Sequence, residues 1–106
     1  MKPKLNPKDL ATTLFKLSEK NNVSRQVNNA LLYLNGIVTS NGYFRVFIQS
    51  KKINGRTKKE ILNKILGKSS HPFVNEIISY LSGNKAIDDL RNISKFFESM
   101  YKKERN

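Results

Sequence analysis

A chain of 106 residues with no cysteine and a net charge of +12, from 20 Lys and Arg against 8 Asp and Glu, is long enough to bury one core of its own. The missing cysteine excludes a disulfide framework, a thiolate metal site and a cysteine nucleophile, and fits a reducing compartment. The positive field favours acidic partners: nucleic acid, anionic lipid headgroups or an acidic protein face.

Residues 1–10, MKPKLNPKDL, carry charge without an apolar region and do not form a signal peptide. Asn6 before Pro7 is a helix start, with an asparagine cap, proline at the first helical position and Asp9 in the positive first turn. Leu10, Leu14 and Leu17 follow at i, i+4 and i+7, and Ala11 and Phe15 widen the stripe. Asn21-Asn22 ends this helix. Ser24 is positioned to cap the second, in which Val27, Ala30, Leu31, Leu34, Ile37 and Val38 share one face. The longest apolar run, residues 30–34, falls far short of the about 20 residues of a membrane helix, so the chain reads as a cytoplasmic type.

Asn41-Gly42 breaks the second helix, and residues 43–49 form a short third element. Its poor alternation favours a helix over a strand. The lysine-studded turn of residues 50–56 belongs in water, because Lys51, Lys52 and Arg56 lack obvious partners. The flanking Phe44, Val46, Phe47, Ile48, Ile61, Leu62, Ile65 and Leu66 belong in the core. Thr57 opens T-K-K-E, read as a capping box in which Glu60 reaches back to the cap backbone. A fourth helix over residues 58–66 then stops at Gly67, expected in the left-handed conformation.

Ser70-His71-Pro72 starts a fifth helix, with Phe73, Val74, Ile77, Ile78 and Leu81 on its apolar face and Gly83 closing it. The sixth runs over residues 86–103, with Ala86, Leu90, Ile93, Phe97, Met100 and Tyr101 on one side. Asp88 and Asp89 in its first turn and Lys102 and Lys103 in its last suit the helix dipole. Six helices, short connections and no convincing strand make this an all-α six-helix bundle, one domain over residues 1–106.

Signatures of catalysis are missing. His71, the only histidine, precedes a proline at a helix start and reads as a capping or surface residue. The acids are scattered, no metal-ligand spacing occurs, and N-G-R-T-K-K lacks the spacing of a phosphate loop. The expectation is a protein without enzyme activity, cofactor, metal or small-molecule substrate. One charge cluster is a candidate nucleic-acid surface: Lys51, Lys52, Arg56, Lys58 and Lys59, with Lys64 and Lys68 beyond, and Tyr43 or Phe44 stacking on bases. Helical spacing assigns those aromatics to the core, and the charge is mostly lysine, with Arg only at 25, 45, 56, 91 and 105. Base readout and bidentate phosphate clamping favour arginine. A small basic nucleic-acid-binding bundle is therefore the alternative reading, and an anionic-membrane binder ranks below it.

Five segments in order carry a resemblance. Leu10-Ala11-Thr12-Thr13-Leu14-Phe15 resembles a Y-A-x-A-L-F first helix, and Phe47-Ile48-Gln49-Ser50-Lys51-Lys52-Ile53 an F-L-x-S-P-x-I segment. Lys58-Lys59-Glu60-Ile61-Leu62 is similar to K-K-x-x-L, and the apolar run from Phe73 to Leu81 to N-F-L-x-x-L. Phe97-Glu98-Ser99-Met100-Tyr101-Lys102-Lys103-Glu104-Arg105 is close to F-x-x-L-Y-x-E-x-R. Together they resemble the delta subunit of F-type ATP synthases, the relative of the mitochondrial oligomycin-sensitivity-conferring protein. Lys51 stands for the family's proline, Gly83-Asn84-Lys85 for its N-G-R turn and Leu10 for the tyrosine of its first helix.

The resemblance implies a stator role in proton-driven ATP synthesis, peripheral to the inner membrane and not inserted in it. The N-terminal domain of that family is a six-helix bundle on top of the catalytic head, gripping an N-terminal helix of an alpha subunit between its first and fifth helices. By position, the partner-binding residues are Ala11, Leu14, Phe15 and Ser18 of the first helix and Val74, Ile77, Ile78 and Leu81 of the fifth. Most of these must also pack the bundle. The family continues beyond the position of Asn106 into a C-terminal domain that holds the peripheral-stalk b subunits. A b-subunit partner is expected only where such a domain exists.

Overall fold

Asn6 accepts a 2.8 Å hydrogen bond from the Asp9 backbone N–H, and Pro7 follows as the first helical residue. This start opens a computed structural model that describes residues 6–105; the N-terminal reading of residues 1–5 lies outside the described residues. Six helices follow in order: α1 (Pro7–Lys20), α2 (Ser24–Ser40), α3 (Gly42–Gln49), α4 (Gly55–Leu66), α5 (Pro72–Ile78) and α6 (Ala86–Glu104), with a 3-10 turn at Gly67–Ser69. No strand occurs among the described residues. The fold is the expected all-α six-helix bundle.

One apolar cluster unites all six helices. It runs from Leu10, Ala11 and Leu14 on α1 through Leu31 and Leu34 on α2 to Ile93 and Phe97 on α6. The most extensive packing joins α1 to α6, followed by α2 on α6 and α4 on α5. Phe15 seals the first of these, its ring meeting Phe97 edge-on at 5.5 Å and 76°. Beyond the core, Arg105 donates to both carboxylate oxygens of Glu19, at 3.0 and 3.4 Å, and pins the end of α6 to α1.

Glycine decides one helix contact. A Cβ on Gly55 would stand 2.6 Å from the Ser79 backbone carbonyl oxygen, so the first residue of α4 must be glycine for α5 to end against it.

Several local expectations are corrected. The cap of α4 is Asn54, accepting from the Thr57 N–H at 2.9 Å; Thr57 lies inside the helix, so the capping box does not form. Ser24 is not the cap of α2 but its first residue; Val23 occupies the cap without a side-chain bond, and the buried Ser24 hydroxyl donates to Glu19. Gly67 has the positive φ of a glycine stop, 51°, yet its ψ of −124° leads into the 3-10 turn and not the left-handed helical region. The fifth helix ends at Ile78, before Gly83, which instead turns the connection to α6 with φ 81°. Val46 and Ile65, assigned to the core, are 65 % and 63 % exposed.

Candidate partner-binding site

The α1 stripe and the apolar face of α5 meet in the core. Of the eight residues expected to grip a partner, Ala11, Leu14, Ser18, Val74, Ile77, Ile78 and Leu81 are buried; Phe15 alone is partly open. They pack the core and leave little surface of their own for a partner. Ile77 and Leu81 keep a sliver of exposure at 7 % and 5 %. The Ser18 hydroxyl is buried and lacks a hydrogen-bond partner among the described residues. On the same helix Leu17 is 42 % exposed, and with the partly open Phe15 it gives α1 its accessible apolar surface. The sequence placed Leu17 in the core stripe, where i+7 spacing put it, but α1 turns it outward.

The short α5 is held by polar contacts. His71 caps it, with Nδ1 accepting from the Phe73 N–H at 3.1 Å; burial pushes this imidazole below its ordinary pKa. Asn75, a buried polar residue the sequence reading passed over, donates to Asn63 Oδ1 at 2.6 Å and to Ser70 Oγ at 3.1 Å, binding α5 to α4 and to the preceding connection. Glu76 accepts from Lys59 at 2.9 Å, and that hydrogen bond holds its carboxyl below the usual carboxylate range.

The basic cluster separates into unlike parts. Lys51, Lys52 and Arg56 are exposed; Arg56 lies 3.7 Å from Glu60, and Lys59 pairs with Glu76. Lys58 departs most from expectation. It is 1 % exposed, and its ammonium donates to the carbonyls of Ile48, Ser50 and Leu81 at 2.9, 3.1 and 3.0 Å. Together with the Gly83 N–H, which donates to the Gln49 carbonyl at 2.8 Å, it satisfies the carbonyl groups that α3 leaves free at its end. Burial pushes the Lys58 ammonium below the ordinary lysine range, and the three carbonyl dipoles oppose that push by favouring the charged form. Lys58 is a structural strut and is unavailable to a phosphate.

Of the two aromatics expected to stack on bases, one is accessible. Phe44 is buried, and Tyr43, though 92 % exposed, opens α3 while Lys51 and Lys52 follow its end, about 12 Å away along the helix rise. A polar cleft of about 410 Å³ lies elsewhere, between α2 and the connection into α5, with Gln26, Tyr33, Lys68 and His71 in its wall. Among the described residues no group of three His, Cys, Asp or Glu side chains is placed to hold a metal ion, and no helix is long and apolar enough to cross a membrane.

The family pattern of the ATP synthase delta (OSCP) subunit matches residues 8–106. The chain belongs to that family. Its members are subunits of the ATP synthase peripheral stalk. ATP synthase subunit delta of Gloeothece citriformis (strain PCC 7424) is 25 % identical over 83 residues, covering 78 % of this chain and 45 % of the relative. The chain thus spans about half the length of the curated relative it matches. No solved structure matches.

Proposed function

We propose that this delta-family chain is a non-catalytic component of an F-type ATP synthase stator, and that its α1–α5 side holds an N-terminal helix of an alpha subunit. The observation that carries the reading is the family match over residues 8–106, nearly the whole chain. The packing of α1 against α5 supports it, with Leu17 as an accessible apolar contact on α1 beside the buried Leu14, Val74 and Ile78. An amphipathic helix laid along α1 buries part of its apolar face on Leu17. The role is mechanical: the bundle resists rotation of the catalytic head while protons drive synthesis, at the membrane periphery on the cytoplasmic side. A b-subunit contact belongs to this reading only through a C-terminal domain.

Calorimetric titration of the chain with peptides from the alpha-subunit N-terminus of the same synthase, at low salt, tests the reading. Binding that perturbs amide resonances of α1 and α5 is expected. No heat and no perturbation with any cognate peptide would overturn it.

A further inference from the structure

The polar cleft between α2 and the connection into α5 holds about 410 Å³, a volume in the range of small-molecule sites. One wall is a stripe of α2, with Gln26, Asn29 and Tyr33 at i, i+3 and i+7, all exposed. Lys68, Ser69 and His71 of the connection form the other. That second wall is fixed in place. Gly67 takes φ 51° and ψ −124°, a conformation open to glycine and rarely to other residues, and turns the chain out of α4. The Ser70 N–H then bonds the Gly67 carbonyl at 3.3 Å, and Ser70 Oγ accepts from the buried Asn75 at 3.1 Å. A wall held in this way is ordered before any ligand arrives, which lowers the cost of binding.

The side chains in the walls are those of an anion site. They include one full charge, Lys68, and no carboxylate. Farther along α2, polar side chains are spent on the helix itself: Asn35 and Thr39 donate to the Leu31 and Asn35 carbonyls at 2.8 Å. Gln26 and Asn29 make no such bond among the described residues, so their amides remain free to donate into the cleft. His71 Nδ1 accepts from the Phe73 N–H, so the ring proton stands on Nε2 and adds a neutral donor. Between Lys20 and Asn75 the sequence holds one acid, Glu60, and the Arg56 guanidinium lies 3.7 Å from it. The segment that supplies both walls therefore attracts anions.

An ammonium, a serine hydroxyl and an imidazole N–H match the three terminal oxygens of a phosphoryl group, whereas a carboxylate offers two. The amides of Gln26 and Asn29 both donate and accept, which suits hydroxyl groups. We propose that this cleft binds a small hydroxylated molecule carrying one phosphoryl group. The phosphoryl group sits at Lys68 and Ser69, and the hydroxylated body lies along Gln26, Asn29 and Tyr33. A nucleic-acid strand brings the same phosphate, but strands are held by grooves that line up several cations, and here there is one. The site does not rest on the α1–α5 reading and stands whether or not that reading holds.

The test titrates the isotope-labelled 106-residue chain with ribose phosphate, and separately with inorganic phosphate, ribose, acetate and a single-stranded oligonucleotide. Saturable amide shifts over residues 26–33 and 67–73 are expected with ribose phosphate, weaker ones at the same amides with inorganic phosphate, and none with ribose or acetate. Lys68→Gln should weaken ribose phosphate about tenfold or more, the size of one lost charge-assisted hydrogen bond. Gln26→Ala/Asn29→Ala should weaken ribose phosphate and leave inorganic phosphate unchanged. Lys52→Gln removes the same charge at an exposed position outside the cleft and should leave binding intact. All four positions are exposed, so unchanged helical circular dichroism separates lost binding from lost fold. Shifts that never saturate, acetate binding as well as phosphate, equal losses in Lys52→Gln and Lys68→Gln, or tighter oligonucleotide binding that spreads over residues 51–52 would each overturn the proposal.

Discussion

Lys58 Nζ donates to the carbonyl oxygen of Leu81 at 3.0 Å, so a lysine of the basic stretch is bonded to a residue of the α1–α5 seam. The same ammonium takes the carbonyls of Ile48 and Ser50 at the end of α3. One buried charge thereby joins α4, the end of α3 and the turn after α5. Two candidate surfaces, one basic and one apolar, share a single structural element. Replacing Lys58 by Met keeps the chain's reach but strands three carbonyls, those of Ile48 and Leu81 in buried positions, a loss of about 3 kcal/mol. Urea unfolding should show a lower midpoint with an unchanged slope. A midpoint equal to that of the parent would remove Lys58 from this role.

How much of this was legible in the sequence varies with the range of the interaction. Asn6-Pro7, His71-Pro72 and the acidic start of α6 were readable because a cap and its N–H partner lie within three residues. Lys58 was not, since a lysine is ordinarily solvated and its partner Leu81 is distant in the chain. Asn54 falls inside the lysine-studded turn of residues 50–56, and T-K-K-E points to Thr57 as the cap in its place. The Thr57 N–H bonded to Asn54 Oδ1 is what places the start of α4 at Gly55. Val46 and Ile65 have core-type side chains, and nothing local reveals that α3 and α4 leave a cleft between them. The α1 and α5 residues offered for partner contact are mostly buried, and periodicity alone does not separate positions that pack the core from positions that face a partner.

Gly55→Ala should destabilise α4 against α5. The added methyl would lie 2.6 Å from the Ser79 carbonyl oxygen and 3.3 Å from its Cβ, so the helices must move apart. A cost of about 1–3 kcal/mol is expected from overpacking against backbone, read as a lower thermal midpoint. A stabilised variant would mean the helix ends are free to part.

His71 supplies a pH dependence whose sign is fixed by its hydrogen bond. Nδ1 accepts from the Phe73 N–H, which requires the neutral ring, and burial lowers its pKa below the ordinary value of about 6.5. Between the folded and unfolded values the unfolded chain binds more protons, so stability rises with pH across that window. The contribution is complete above the ordinary value and is lost as pH falls through the lower folded one. His71→Asn should keep the cap and abolish this leg of the profile, whereas His71→Ala should cost about 1 kcal/mol at neutral pH. Denaturant midpoints of the three proteins across the mildly acidic range decide the matter.

Glu19 governs a second, more acidic window. The Arg105 hydrogen bond, then that from Ser24, holds its carboxyl below the usual range. Its support is present above the ordinary carboxylate value and fades as pH falls through the depressed one. Glu19→Gln should free the end of α6, seen as faster amide exchange over Lys102–Arg105, with little change in the core. Unchanged exchange there would show that the tie carries no load.

Packing and docking on the α1–α5 side are separable by exposure. Ile77 is 7 % exposed and belongs to the core, so Ile77→Ala should cost about 2–4 kcal/mol through lost burial and a cavity. It should weaken an alpha-subunit peptide only to the extent that the bundle loosens. Leu17 is 42 % exposed, so Leu17→Ala should change stability by less than about 1 kcal/mol. The same change removes apolar area that a helix on α1 would cover, and peptide affinity should fall by several-fold or more. Calorimetry of both variants, beside their unfolding midpoints, reads the two effects independently. If Leu17→Ala leaves peptide affinity untouched, the partner does not lie on this edge of α1.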